Sequence, residues 1–222
     1  MKQVLEQYCE EAIRFVPARD GAGPLRVART LLTCRIAVAA LNELELPEES
    51  GAAYRYVNVH NPRCPLLFDR DEGRWRCRNS LDDHPVWSLN WAAAQLLCRH
   101  LGGRLPTAWE WEGFASNNDP HRLYPWGNAA PSYLLANYDE HYGGTSVVRS
   151  FPPSELGLYD LAGNLGEWCE DGVGPGSAAL ERVVKGGAWS KDARHLRIAA
   201  SRAKWARLGT TTIGLRVVWD PA

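Results

Sequence analysis

Apolar residues recur at helical spacing in several stretches of the chain, and short alternating runs lie between them. Val4, Leu5, Tyr8, Ala12, Ile13 and Phe15 form one stripe with Glu10 and Glu11 outside it, which predicts a helix over residues 1–16 ended by Pro17. Asp20-Gly-Ala-Gly-Pro24 reads as a linker. Residues 1–24 are thus expected to be an N-terminal helix and linker, and 25–222 a single domain. Val27 to Cys34 reads as a strand and Ile36 to Leu44 as a helix. Residues 54–59, 66–69 and 74–78 read as strands, with Asp71-Glu-Gly73 as the turn joining the last two. A helix over Ser88 to Leu101 would point Ala92, Leu96, Leu97 and Leu101 inward and stop at Gly102-Gly103. Thr107, with Glu110 three residues on, predicts a capping box that opens another helix. Residues 117–182 read mostly as loop, and a loop this long inside a compact domain needs something to pin it.

Composition narrows the function classes. At 222 residues the chain can enclose a sizeable core. A net charge of −1 supplies no field that would favour nucleic acid or an acidic membrane, so neither is expected as a partner. The N-terminus Met1-Lys-Gln-Val-Leu-Glu lacks the apolar core of a signal peptide, and no apolar run approaches a membrane span, so a cytoplasmic location is expected. The six cysteines show no C-x-x-C spacing. Cys64 and Cys77 flank the expected hairpin and could pair in an oxidising compartment; free thiols are expected in the cytosol. Ten tryptophans, 20 glycines and 14 prolines suggest a loop-rich fold in which indoles fill space, each needing a partner for its N–H.

The most informative stretch is Leu161-Ala-Gly-Asn-Leu-Gly-Glu-Trp168, followed after a loop by Val184-Lys-Gly-Gly-Ala-Trp189. Glycines permit sharp turns here, and Glu167 among turn carbonyls is a hard oxygen ligand of the kind calcium prefers. Taken alone, the octapeptide reads equally well as a turn followed by a buried indole. Upstream stand His84-Pro-Val-Trp-Ser-Leu-Asn-Trp91, Gly103-Arg-Leu-Pro-Thr-Ala-Trp-Glu-Trp-Glu112, Tyr124-Pro-Trp-Gly-Asn128 and Ala136-Asn137; downstream stand Arg197-Ile-Ala199 and Ile213-Gly-Leu-Arg-Val217. In this order the blocks resemble the formylglycine-generating enzyme family, also called the sulfatase-modifying-factor family. The resemblance runs from about Tyr54 to Val218.

That resemblance implies an α+β, C-type-lectin-like fold with small twisted antiparallel sheets, two main helices and extensive irregular loops. It implies a structural calcium ion at Asp160, Gly163, Leu165 and Glu167, and a second at Asn137, Tyr138, Glu140 and Tyr142, with Asp139 as an alternative to Glu140. It also implies two cysteines just after the Gly-Gly-Ala-Trp block, which in the family hold copper; soft thiolates suit Cu(I). This chain has no cysteine anywhere after Cys169, so cysteine-dependent formylglycine formation is not expected. Variable proteins of diversity-generating retroelements share the fold and bind partners through a C-terminal patch. Trp189, Lys191, Arg194, His195, Trp205 and Arg207, with Asp192 and Lys204, have the mixture of aromatic and arginine anchors such a patch uses, and Trp126 is expected nearby. The expected function is therefore a calcium-stabilised scaffold binding a protein, peptide or small ligand through residues 189–212. The alternatives are a metal-dependent oxidoreductase of secondary metabolism, with iron or copper, and an inactive paralogue that partners an active enzyme.

Overall fold

The computed structural model describes residues 2–18, 23–46, 56–78, 80–174 and 180–221. The chain opens with α1 (Lys2–Glu10), which seats Leu5 and Tyr8 in the core. The helix is shorter than its apolar stripe predicts. Ile13–Phe15 instead form strand β1, paired antiparallel to β2 (Leu25–Val27), and β2 pairs in turn with β9 (Val218–Trp219). Ile13 and Phe15 fit helical spacing and strand alternation equally, and the edge offered by β2 decides between them. The N-terminal segment is thereby built into the same core as the C-terminus rather than standing apart. Of the expected linker, only Gly23 and Pro24 fall within the described residues.

The strand expected over 27–34 stops at Val27, and helix α2 (Cys34–Glu43) begins where the strand was to end. Thr33 caps it, its side chain accepting the Ile36 N–H, and Cys34, Ile36, Ala37, Ala40 and Leu41 are buried. β3 (Leu66–Asp69) and β4 (Arg74–Cys77) form the expected hairpin, turned by Gly73 at φ 62° with Asp69 Oδ1 accepting the Asp71 and Glu72 N–H groups. Of the strand expected at 54–59, only 56–59 lie among the described residues, and Val57 makes an isolated bridge to Leu89.

Helix α3 (Trp91–His100) starts at the Asn90 cap, three residues later than expected. Leu97 and Leu101 are buried as expected, and Ala93, Ala94 and Cys98 complete the buried face; Ala92 is exposed and Leu96 only half-buried. Helix α4 (Ala108–Ser116) carries the capping box: Glu110 N–H donates to Thr107 Oγ1 and Glu110 Oε2 accepts the Thr107 N–H. Arg104 grips the same carboxylate at 2.7–2.8 Å and reaches Asp220, so Glu110 serves structure.

The expected long loop is interrupted by β5 (Gly166–Gly172) and β6 (Glu181–Lys185), which join β7 (Arg202–Trp205) and β8 (Ile213–Gly214) in the order β7-β6-β5-β8, with β8 parallel to β5. Beyond these elements, residues 117–165 and 186–212 are mostly irregular. Tryptophans close the gaps. The indole N–H groups of Trp75, Trp87, Trp91, Trp168, Trp189 and Trp219 each donate to a main-chain carbonyl, so large rings are buried without orphaned donors. All six cysteines are free. No helix among the described residues is long and apolar enough to cross a membrane.

Candidate functional site

The Leu161–Trp168 stretch is a turn that laces three loops together. Gly163 sits at φ 80°, and a Cβ there would lie 2.2 Å from the Asn137 carbonyl oxygen. That position therefore needs glycine both for its conformation and for the close approach. Gly163 N–H donates to Gly186 O, Asn164 N–H to Asn137 O, and Trp189 N–H to Asn164 O. The loops at 137, 163 and 187 thus meet through main-chain bonds, and the strand register then carries Glu167 into the middle of the sheet.

There the expectation for Glu167 changes. Its carboxylate is fully buried and faces Arg216, which is also fully buried. Oε1 accepts from Arg216 Nε at 3.1 Å and Nη2 at 2.8 Å; Oε2 accepts from Arg216 Nε at 3.0 Å and Trp111 Nε1 at 2.8 Å. Arg216 donates its remaining N–H groups to Ala28 O and Tyr159 O. A calcium ion would have to displace a fully buried guanidinium that already occupies the carboxylate, so these residues do not fit an ion as the turn motif implied. Asp160 lies nearby with Oδ2 accepting the Arg149 N–H, and burial pushes its carboxyl above the usual aspartate range. Gly163 and Leu165 hold the turn; Leu165 is buried in the core.

The second expected ion site is different. Asn137 is fully buried, its Nδ2 donates to Gly144 O and Ser146 Oγ, and its Oδ1 has no hydrogen-bond partner. An orphaned buried amide oxygen is costly unless something coordinates it. It fits a hard cation. Tyr138, whose hydroxyl is pushed up by burial, stacks on Tyr133. Tyr142 is half exposed and its hydroxyl donates to Tyr133 O, while Glu140 is exposed and donates its N–H to Trp189 O. Of the four expected ligands, Asn137 is the one with a buried side-chain oxygen that has no hydrogen-bond partner.

The residues expected to share one exposed face are divided among separate environments. Trp189 is 9% exposed, packs with Leu31, Trp87 and Leu165, and donates to Thr211 O at 3.0 Å. Trp126 stacks on Tyr124 at 5.1 Å and packs in the cluster that holds Leu196. Arg194 and His195 lie on a 3-10 turn (Ala193–Leu196), where both bond Asp192; Arg194, then His195, holds that carboxyl well below the usual range. Lys191 is half-buried, its carbonyl accepting the Asp139 N–H. Trp205 stands apart on the edge strand β7, 43% exposed, with the Arg207 guanidinium 5.4 Å from its ring.

The Sulfatase-modifying factor enzyme 1-like domain matches residues 52–221. The chain belongs to the sulfatase-modifying factor family. Serine/threonine-protein kinase pkn1 of Chlamydia pneumoniae is 33% identical over 164 residues, 67% of this chain and 26% of that protein. Formylglycine-generating enzyme of Bos taurus is 36% identical over 102 residues, 40% of this chain and 27% of that one. The chain thus spans about a quarter of the length of these two relatives. Treponema denticola variable protein 1 superposes with a TM-score of 0.68 at 16% identity, covering 95% of each chain, which places the two in one fold. The α+β, C-type-lectin-like architecture read from the sequence blocks is thereby shown.

Within this family fold, Cys169 lies next to Trp168 on β5, fully enclosed, and burial pushes its thiol well above the ordinary range. It is an inert apolar filler rather than a nucleophile. Sequence reading missed Arg216 as the partner of Glu167, although the Ile213–Val217 block was noted. It also missed Lys185, fully buried with Nζ 2.6 Å from Glu112 and near the Trp111 ring. A further omission is a cavity of about 280 Å³ walled by Trp87 and Trp189, with Arg63, Leu81, His84 and Thr145 around it. No local pattern marks it, because its lining comes from five separate segments, around residues 63, 81–87, 143–145, 189 and 211.

Proposed function

We propose that this member of the sulfatase-modifying factor family is a binding module whose ligand is held by the surface that residues 189–212 help to build, and that it does not form formylglycine from cysteine. The observation that carries this reading is the composition of the segment after Trp189, which has no thiol at all, while the nearest upstream one, Cys169, is sealed in the core. The thiolate pair that copper-dependent cysteine oxidation requires is absent, and the aromatic and basic groups of the same segment remain. A scaffold laced by main-chain hydrogen bonds at 137, 163 and 187 supports such a role, since it holds irregular loops rigid without cost to the ligand.

Calcium is part of this proposal at the 137–146 loop. Asn137 Oδ1 would hold it with neighbouring main-chain oxygens, and the ion would neutralise an orphaned acceptor and clamp the loop. The test is to incubate the purified chain with a sulfatase-type cysteine peptide, with and without copper. The cysteine should stay intact by mass spectrometry; a mass loss corresponding to the aldehyde would overturn the reading.

A further inference from the structure

We propose that the cavity between Trp87 and Trp189 binds a small aryl carboxylate, its ring against the two indoles and its carboxylate on Arg63. The inference deepens the proposed binding function and rests on it. The cavity measures about 280 Å³, close to the low end of small-ligand sites at roughly 300 Å³. Its apolar walls are pinned: Trp87 Nε1 donates to Arg63 O at 2.7 Å and Trp189 Nε1 to Thr211 O at 3.0 Å. With both N–H groups engaged by the protein, the indoles offer a ligand their ring carbons, and Leu81 adds to the apolar lining. Rigid, preformed aromatic surface lowers the ordering cost of binding.

The polar lining sets the charge of the ligand. Arg63 is exposed at the rim and has no ion-pair partner among the described residues, and no Asp or Glu lines the cavity. His84 bonds Thr145 Oγ1 through Nδ1 at 2.9 Å, and burial lowers its pKa, disfavouring a second positive charge in the lining. Arg63 is the one Arg or Lys among the lining residues, which include no Asp or Glu; such a lining favours an anion, and the planar fork of a guanidinium matches a carboxylate. The larger groove under α1, about 520 Å³, lacks this property: there Arg35 is paired with Asp83 at 3.0 Å and Arg149 with Glu11.

The probes are 4-fluorophenylacetate, its neutral amide and 4-fluorophenethylamine, titrated against the full chain by fluorine NMR at low salt. The acetate should bind at least about tenfold more tightly than the amine, with the amide between. Arg63→Gln, at an exposed position outside the core, should weaken the acetate about tenfold and leave the amide unchanged. Thr211→Phe, which fills the chamber, should abolish binding of all three. Equal affinity for the three probes, or an acetate affinity insensitive to Arg63→Gln, would overturn the carboxylate assignment. Absence of binding by every probe would overturn the site itself. Neither result bears on cysteine oxidation, which the peptide assay decides separately.

Discussion

Replacing Glu167 with glutamine removes one charge from a pair in which both side chains are fully buried. The glutamine keeps the volume and can still accept from Trp111 Nε1, so the perturbation is electrostatic rather than a cavity. What remains is the Arg216 cation, held by two main-chain carbonyls, Ala28 O and Tyr159 O, with its hydrogen-bonded carboxylate gone and the buried Asp160 as the acid still in range. Breaking one partner of a buried pair costs about 3–5 kcal/mol, because the survivor's charge is left desolvated. For a domain of this size each kcal/mol lowers the melting temperature by about 2–4 °C, so a drop of about 6–20 °C is expected. The assay is urea unfolding together with a thermal scan, run in chelator. Arg216→Met should cost a similar amount, and the double variant should lose less than the sum of the singles by about 1 kcal/mol or more, since neither lone charge survives. If Glu167→Gln unfolds within about 0.5 kcal/mol of the parent, the pair is not what holds this region. If calcium stabilises the parent and that gain disappears in Glu167→Gln, the carboxylate is an ion ligand and the charge-pair account fails.

Calcium in excess should raise the parent's melting temperature, by the equivalent of about 2.7 kcal/mol at a hundred times Kd, and Asn137→Ala should abolish that response; a parent indifferent to both calcium and chelator would refute the Asn137 site. Asp160 is raised by burial, so its protonated form favours the fold: with chelator present, Asp160→Asn should be more stable than the parent at pH 7, the gap closing as the pH falls through the raised value into the ordinary aspartate range. A gap that stays constant between neutral pH and pH 4 would contradict the burial argument. Trp205→Ala, at a 43% exposed position, should shift unfolding by no more than about 0.5 kcal/mol, whereas Trp189→Ala, at 9% exposure, should cost about 3–5 kcal/mol; equal losses in urea titrations would show that Trp205 is a packing residue.

The sequence by itself determined the features that act within a few residues. Thr107 and Glu110 cap a helix because their side chains reach the main chain one turn away. Gly73 turns the β3–β4 hairpin because a positive φ costs it little. The ordered Gly- and Trp-rich blocks, each a local turn with its own geometry, were enough to read the family and its fold. What only the tertiary structure decided are choices among partners equally available to a given residue type. A glutamate suits a calcium ion or a guanidinium; the fold settles Glu167 by bringing Arg216, 49 residues on, to within 3 Å. Ile13 to Phe15 suit a helix or a strand, and the edge of β2 makes them a strand. The aromatic cavity is read from no segment, since Arg63, Trp87, Thr145 and Trp189 meet only after loops close over a core. Local main-chain chemistry is written in neighbouring letters, while desolvation and charge pairing depend on which distant side chains the core brings together.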